Sequence, residues 1–310
     1  MKIFLFASLA ILILCVFSGG YLFFAACRRK EELPWLDEAE IKKTNYAKYY
    51  DYIVASHKWL TAHKAQDVWT NSRDGLMLHA LWIPAQNARA TILFAHGYRS
   101  TPLVDFSYAM EFYHQLGMNL LIPDQRAHGK SQGKYITFGI KESEDMQQWI
   151  AYHNQELSQQ PIVLDGLSMG ASTMLYLADK QLPANVKAII ADCGFTSPKE
   201  IISCVFRSVT HLPAVPSIWF ADLFARIFAK VSLNECDTRK TLAGSRLPVL
   251  IVHGTADDFV PCEMSKQAYD CCSSSKQLLL VDNATHGCSF LVHRERYSNL
   301  VCELLDNYVK

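Results

Sequence analysis

Short apolar runs alternate with helix-like stretches along most of the chain, and this alternation constrains the fold more than any other feature. It is typical of βαβ units, which build a mostly parallel sheet flanked by helices. We therefore predict an α/β fold. The predicted strands are residues 78–83, 91–95, 119–123, 162–165, 186–192, 249–253 and 278–282, and the predicted helices are residues 105–116, 141–154, 169–179, 263–271 and 295–309.

Composition narrows the possible partners. Half of the 310 residues are apolar, which is enough for one large core. The formal net charge is zero and no Lys/Arg stripe stands out, so we expect no nucleic-acid partner. The ten cysteines show neither a C-x-x-C zinc pair nor the spacing of a secreted disulfide framework. We expect buried thiols, no bound metal and no cofactor.

The N-terminal segment predicts a membrane anchor. Residues 3–27 contain no charged residue and, as a helix, are long enough to cross about 30 Å of hydrocarbon. The cations of residues 28–30 follow this run, and the positive-inside rule then predicts a single pass with the C-terminal domain in the cytoplasm. A cleaved signal peptide, with small residues at 18–20, or a lipoprotein signal ending at Cys27 would instead give a secreted protein or one anchored at the outer face.

Two stretches match the pattern G-x-S-x-G, residues 129–133 and 166–170, so the pattern alone does not identify a nucleophile. A nucleophile elbow requires a strand that runs straight into a helix, because the sharp turn exposes the serine hydroxyl beside free backbone N–H groups. Ser168 follows a predicted strand and precedes a predicted helix, whereas Ser131 lies in a predicted loop. We predict Ser168 as the nucleophile and Ser131 as a turn residue.

A serine nucleophile needs a histidine base, and that histidine needs an orienting carboxylate. In this kind of fold both follow later strands, in the order Ser, Asp, His. Asp257 follows the predicted strand 249–253, and His286 follows the strand 278–282. We predict Asp257 as the acid and His286 as the base.

Several other side chains are weighed against this pair. Asp258 and Asp192 are alternative acids, at the next position and at the end of the preceding strand. His293 is interpreted as a surface residue near the start of the last helix. Histidines that precede a glycine in strand-end turns are interpreted as structural, and these are His96, His128 and His253.

Acyl transfer also requires two N–H donors for the developing oxyanion. One is expected from Met169, the residue after the nucleophile. The other is expected from the loop after the strand 91–95, where we choose the backbone N–H of Tyr98.

Residues 198–240 interrupt the strand–helix rhythm and contain a strongly amphipathic helix. Trp219, Leu223 and Ile227 form one i,i+4 row, and Phe220 begins the next. The helix is either packed on the sheet or part of a cap over the active site. In the second case we expect Trp219, Phe220 and Leu223 to line an acyl pocket.

Together, residues 96–98, 124–131 and 166–170, with Asp257 and His286, resemble the signature set of the α/β-hydrolase family. The arrangement is similar to bacterial hydrolases described as serine aminopeptidase-like or Bem46-like, often with an N-terminal membrane anchor. The resemblance covers residues 65–310 as the catalytic domain, after an anchor in 1–30 and a juxtamembrane segment in 31–64. It implies an acyl-enzyme mechanism without metal or cofactor.

The apolar cap and the predicted anchor favour a small-molecule substrate with a hydrophobic acyl group, so a carboxylesterase or small lipase is the first hypothesis. The alternative is another acyl hydrolase or an acyltransferase, in the first place a serine aminopeptidase. It would need a carboxylate to hold the substrate ammonium, for which Glu200, Asp222 and Glu235 lie near the cap. The remote alternative is a non-catalytic interaction module. Such a module would normally have lost a triad residue, and all three are present.

Overall fold

The computed structural model describes residues 2–30, 38–44 and 46–309. Its strands are β1 (Gln66–Asn71), β2 (Met77–Ile83), β3 (Ala90–Ala95), β4 (Met118–Pro123), β5 (Ile162–Leu167), β6 (Val186–Asp192), β7 (Val249–Gly254) and β8 (Lys276–Val281). They form one sheet in the order β1-β2-β4-β3-β5-β6-β7-β8. β2 pairs antiparallel with both β1 and β4, and all other neighbours are parallel.

The α-helices are α1 (Lys2–Cys27), α2 (Glu38–Ile41), α3 (Tyr50–Ala62), α4 (Pro102–Gln115), α5 (Ile140–Tyr152), α6 (Met169–Leu175), α7 (Pro198–Thr210), α8 (Ser217–Phe224), α9 (Thr238–Ala243), α10 (Cys262–Cys271), α11 (Ser289–Val292) and α12 (Arg294–Tyr308). A 3-10 turn (Ala47–Tyr49) precedes α3, and π-helical segments extend α5 (His153–Leu157) and α8 (Ala225–Ala229). The predicted α/β fold with a mostly parallel sheet is confirmed.

The central strands of the sheet are buried on both faces, because helices cover each side. Along β3, Ile92 and Phe94 point to the layer of α3, α4 and α12, whereas Leu93 and Ala95 point to the layer of α5, α6, α9 and α10. This alternation follows from the two-residue period of a strand. It explains why the central strands read as continuous apolar runs rather than as alternating ones.

Helix starts in this fold are encoded locally. Thr101 caps α4 by accepting a hydrogen bond from the Val104 N–H, and a proline opens the helix. Ser197 caps α7 in the same way through the Glu200 N–H, again with proline at the first turn. Side-chain caps of this kind satisfy N–H groups that have no partner inside the helix.

β1 is not among the strands predicted from the sequence. Val68 is buried and Thr70 is half-buried, whereas the other residues of the strand are exposed. The strand lies at the sheet edge, where one face is open to solvent, so it lacks the continuous apolar signal of the central strands.

Within the described part of the chain, no helix has both the length and the apolar character needed to cross a membrane. The membrane anchor predicted for residues 1–30 stays a prediction. Part of the predicted juxtamembrane segment, residues 31–37 and 45, lies outside the described residues.

Candidate active site

The carboxyl ends of the parallel strands meet at one edge of the sheet, and the loops that follow them build the site. Ser168 follows β5, and Gly97 and Tyr98 follow β3. Asp257 follows β7, and His286 follows β8. In open α/β sheets this edge is where ligands bind.

Ser168 occupies a strained turn between β5 and α6. Its φ is 56° and its ψ is −115°, a region that non-glycine residues rarely adopt. The backbone around it is fixed by a hydrogen bond of 2.8 Å from the Ser168 N–H to the carbonyl of Asp192. Such strain persists only where the surrounding structure enforces it, and it is common at active sites.

The glycines on either side of Ser168 are required by close packing. A Cβ on Gly166 would lie 2.3 Å from the carbonyl oxygen of Gly170. A Cβ on Gly170 would lie 1.7 Å from the carbonyl oxygen of Ala95. The first turn of α6 can therefore approach β3 and β5 only because both positions lack a side chain.

A continuous chain of hydrogen bonds joins the three predicted triad residues. His286 Nε2 lies 2.9 Å from Ser168 Oγ. Its other ring nitrogen, Nδ1, lies 2.7 Å from Asp257 Oδ2. With Nδ1 protonated and donating to the carboxylate, Nε2 is free to accept the serine proton, as a general base requires.

Asp257 is held in its ionised form. Its Oδ1 accepts the N–H groups of Phe259 and Val260, each at 2.9 Å. Its Oδ2 lies 3.1 Å from His253 Nε2 and 2.7 Å from His286. Burial raises the pKa of Asp257, but hydrogen bonds from His253 and His286 outweigh it and hold the pKa below its ordinary value.

The alternative acids lie elsewhere. Asp258 is exposed. Asp192 is buried and accepts a hydrogen bond of 3.0 Å from the Ser289 hydroxyl, and burial raises its pKa to about 6. His293 is an exposed residue at the start of α12, as expected.

The loop after β3 lies against the nucleophile. A Cβ on Gly97 would lie 3.5 Å from Ser168 Cβ. The buried Asp105 carboxylate accepts the Gly97 N–H at 2.6 Å and the Ser100 hydroxyl at 2.6 Å. Burial raises the pKa of Asp105, although these two bonds oppose the shift. Asp105 therefore fixes the loop that carries the predicted oxyanion donor.

The two predicted oxyanion donors occupy suitable backbone positions. Met169 opens α6, so its N–H has no acceptor inside that helix. Tyr98 follows Gly97 beside Ser168, and the described residues provide no hydrogen-bond partner for its N–H. The Tyr98 hydroxyl points away from the nucleophile and donates to the carbonyl of Ala26 at 2.7 Å.

The histidines interpreted as structural make structural hydrogen bonds. His96 Nδ1 lies 2.9 Å from the Gly97 carbonyl, and its Nε2 accepts the Gln125 N–H at 3.0 Å. His128 Nε2 accepts the Arg99 N–H at 3.1 Å, and burial lowers the pKa of His128. Both rings are therefore braces for the loop after β3.

Two cavities meet at Ser168. The smaller has a volume of about 200 Å³ and is lined in part by Thr44, Ser100 and Asp105. The larger has a volume of about 350 Å³ and is mainly apolar, with walls from α1 and α7. Tyr98, Arg99 and Phe259 line both, so the nucleophile lies at the junction of the two cavities.

The predicted pocket residues of α8 lie elsewhere, which corrects one expectation. Trp219 and Leu223 are exposed at 60% and 47%, and neither these two nor Phe220 lines a cavity at Ser168. Phe220 packs against Gly19 of α1 instead. The physical reason is that α1 covers one row of this amphipathic helix, so its other row faces outward.

Among the described residues, one group of potential metal ligands lies in the site. Ligand atoms of Cys193, Asp257 and His286 lie within 4.8 Å of one another. Burial raises the pKa of the Cys193 thiol well above its ordinary range, and the other two groups already pair with each other. A protonated thiol is a poor metal ligand, so this donor set does not favour a metal.

Some residues at the site have no signal in the sequence. Asp105 lies in the first turn of α4, and only the fold shows that it reaches back to Gly97. His253 is the penultimate residue of β7 and contacts Asp257, a pairing that its position near the strand end alone does not reveal. Residues of α1 lie more than a hundred positions from Ser168 and reach the cavity only through packing.

Taken together, the sheet, the elbow after β5 and the order of the loops define the α/β-hydrolase fold. Residues 90–226 match the family described as alpha/beta hydrolase fold. In structure, the chain is similar to the esterase Pf2001 of Pyrococcus furiosus, with a TM-score of 0.65, 24% identity, and coverage of 80% of this chain and 94% of that chain.

Two relatives are similar to this chain in sequence. The chain is 29% identical over 218 residues to the uncharacterized protein YqkD of Bacillus subtilis, covering 70% of this chain and 71% of that protein. It is 27% identical over 191 residues to the protein bem46 of Schizosaccharomyces pombe, covering 61% of this chain and 58% of that protein. The chain has the α/β-hydrolase fold and is similar in sequence to bem46.

Proposed function

We propose that this protein is a serine hydrolase that cleaves carboxylic esters with hydrophobic acyl groups. The observation that carries the proposal is the hydrogen-bonded chain from Ser168 through His286 to Asp257, at 2.9 and 2.7 Å, beside an apolar cavity. Esterases among the structural neighbours agree with it, since the esterase of Exiguobacterium antarcticum shares the fold at a TM-score of 0.58.

In the first half-reaction, Ser168 Oγ attacks the ester carbonyl carbon while His286 Nε2 takes the hydroxyl proton. The new Oγ–C bond gives a tetrahedral oxyanion, which the N–H groups of Met169 and Tyr98 stabilise. Asp257 stabilises the imidazolium. The bond to the leaving oxygen then breaks, and His286 gives its proton to the departing alkoxide.

In the second half-reaction, His286 takes a proton from water, and the resulting hydroxide attacks the acyl carbon. The Oγ–C bond breaks, and His286 returns the proton to Ser168. The products are one carboxylic acid and one alcohol, and the enzyme returns to its starting state.

The positions of the acidic side chains favour an ester as the substrate over a peptide with a free amino terminus. Glu200 accepts hydrogen bonds from Arg239, at 2.6 Å, and from Thr196. Asp222 pairs with Arg226 at 2.9 Å. Glu200, Asp222 and Glu235, the candidate ammonium ligands, line neither cavity at Ser168.

In the described part of the chain, Asp105 is the one carboxylate that lines either of these cavities. Its two oxygens already accept the Gly97 N–H and the Ser100 hydroxyl, and burial disfavours its charge. A substrate ammonium would therefore enter these cavities without a free anionic partner, at a high desolvation cost.

The test compares kcat/KM for p-nitrophenyl esters of increasing chain length with kcat/KM for aminoacyl p-nitroanilides of matched side chain. We expect esters to be hydrolysed and the value to rise with acyl length. Faster turnover of the aminoacyl amides than of every ester would overturn the proposal in favour of an aminopeptidase.

A further inference from the structure

The larger cavity at Ser168 is a cleft between two helices that are far apart in the sequence. One wall consists of Leu22, Ala25 and Ala26 of α1, and the opposite wall consists of apolar side chains of α7. At about 350 Å³ it falls within the usual range for small-molecule sites. The α7 wall contains Ile201, Ile202, Val205, Phe206 and Val209.

The C-terminal end of α1 is hydrogen-bonded to the loop that carries the predicted oxyanion donor. The Tyr98 hydroxyl donates to the Ala26 carbonyl at 2.7 Å, and Arg99 Nη2 donates to the Ala25 carbonyl at 2.6 Å. These are carbonyls of the last helical turn, which lack N–H donors inside the helix and attract cations. The α1 wall is therefore fixed relative to Ser168.

The same helix is also fixed from its other side by α8. A Cβ on Gly19 would lie 2.3 Å from Phe220 Cβ, and one on Gly20 would lie 3.1 Å from the Phe224 ring. Phe24 packs edge-on against Phe224, with ring centroids 6.1 Å apart. Because the two helices approach this closely, the position of the α1 wall is set by packing rather than by a flexible hinge.

The cleft between α1 and α7 has one buried end and one exposed end. Ile201 and Ile202 are buried at one end, whereas Val209 and Tyr21 are 73% and 78% exposed at the other. Eight residues of helix separate Ile201 from Val209, which is about 12 Å at 1.5 Å per residue. An extended chain advances about 1.2 Å per bond, so the cleft accommodates about ten bonds.

From this geometry we infer that α1 forms the specificity-determining wall of an acyl-binding site, and that the site takes a single unbranched acyl chain of about eight to twelve carbons. The carbonyl lies at Ser168, the chain runs between α1 and α7, and its end reaches the rim at Tyr21 and Val209. The leaving alcohol occupies the smaller cavity beside Thr44 and Ser100. The inference rests on the proposed ester hydrolysis and adds the substrate class.

Two substitutions on the α1 wall should change chain-length preference in opposite directions. Ala25→Leu fills the cleft, and Leu22→Ala enlarges it. The measurement is kcat/KM for p-nitrophenyl esters from four to fourteen acyl carbons with the full-length chain. In the wild type, each methylene that enters the cleft should raise kcat/KM about 4-fold, up to about ten carbons.

For Ala25→Leu, we expect the ratio of kcat/KM for the ten-carbon ester to kcat/KM for the four-carbon ester to fall at least about 10-fold. For Leu22→Ala, we expect the optimum to move to longer chains. Misfolding cannot explain such changes in the two variants. A general loss of folded enzyme lowers kcat/KM for all esters equally and leaves the ratio unchanged.

Matched controls are Phe17→Ala, an exposed position on the same helix, and Trp219→Ala on the exposed row of α8. Both should keep the wild-type profile. A profile that shifts with Trp219→Ala but not with Ala25→Leu or Leu22→Ala overturns the inference and places the acyl chain on α8. So does a profile that none of these substitutions changes.

A second readout separates this inference from the proposed function. Labelling rates are measured with fluorophosphonates that carry two-carbon or ten-carbon alkyl chains. Absence of both labelling and ester turnover in the wild type would refute the proposed function itself. Normal labelling with a chain-length preference that is insensitive to α1 would refute only the role of α1.

Discussion

Ser131 and Ser168 both lie at the centre of a G-x-S-x-G stretch, and both are buried, at 1% and 3% exposed. The Ser131 hydroxyl accepts the His79 N–H at 2.8 Å and donates to the Asp124 carbonyl at 2.6 Å. The Ser168 hydroxyl faces His286 at 2.9 Å and the junction of two cavities. The pattern and the burial are shared, so what separates the two serines is where each hydroxyl points.

The glycines of the two stretches also have different roles. In the loop around Ser131, Gly129 and Gly133 adopt positive φ values of 48° and 129°, which L side chains rarely take. Around Ser168, Gly166 and Gly170 are needed because backbone atoms approach within 2.3 and 1.7 Å of where a Cβ would be. One stretch needs glycine to turn, and the other needs it to bring a helix against two strands.

The largest expected effect that would sharpen this comparison concerns Asp257, the carboxylate that orients His286. Asp257→Asn should lower kcat about 10⁴-fold, because the amide neither stabilises the imidazolium nor holds the ring in the required tautomer. Steady-state kinetics on a short-chain ester measure it. Asp258→Asn, at the exposed neighbouring position, is the matched control and should stay within about 2-fold of wild type. Equal losses in both variants would show that Asp257 has no special role.

A smaller effect concerns Asp165, which precedes the Ser168 elbow in β5. Burial raises the pKa of Asp165 to about 7, although it accepts the Tyr113 hydroxyl at 2.6 Å. Below about pH 4 the group is protonated in both folded and unfolded chains. As pH rises to about 7 the unfolded chain releases the proton first, so the wild type loses stability over this window.

Asp165→Asn cannot ionise, and its amide oxygen can still accept the Tyr113 hydroxyl. The difference in free energy of unfolding between the variant and wild type should therefore favour the variant more at pH 8 than at pH 4, by up to about 4 kcal/mol. Urea unfolding at both pH values measures this difference. If the difference in free energy of unfolding between variant and wild type is the same at both pH values, the buried-acid explanation is contradicted.

The smallest effect tests the loop serine. Ser131→Ala should reduce the free energy of unfolding by about 1–3 kcal/mol, because it leaves the buried His79 N–H and Asp124 carbonyl without their partner. Its kcat/KM should stay near the wild-type value. Urea unfolding and ester hydrolysis on one preparation check both parts, and a loss of turnover without a loss of stability would reverse the assignment.

Much of the fold could be predicted from the sequence, because central strands and their following helices leave strong local patterns. The elbow at Ser168 and the strand-end positions of Asp257 and His286 are of this kind, and the structure brings these three side chains together. The edge strand β1 lacks such a pattern. The walls of the apolar cavity also could not be predicted, since α1 lines the cavity together with α7 and packs against α8, and these segments are about 180 to 200 residues apart.

The central claim is that Ser168, and not Ser131, is the nucleophile. The most direct measurement is mass spectrometry of peptides after the full-length protein reacts with a fluorophosphonate, for wild type, Ser168→Ala and Ser131→Ala. We predict one phosphonyl adduct on the peptide containing Ser168 in wild type and Ser131→Ala, and none in Ser168→Ala. An adduct on the peptide containing Ser131, retained in Ser168→Ala, would contradict the account.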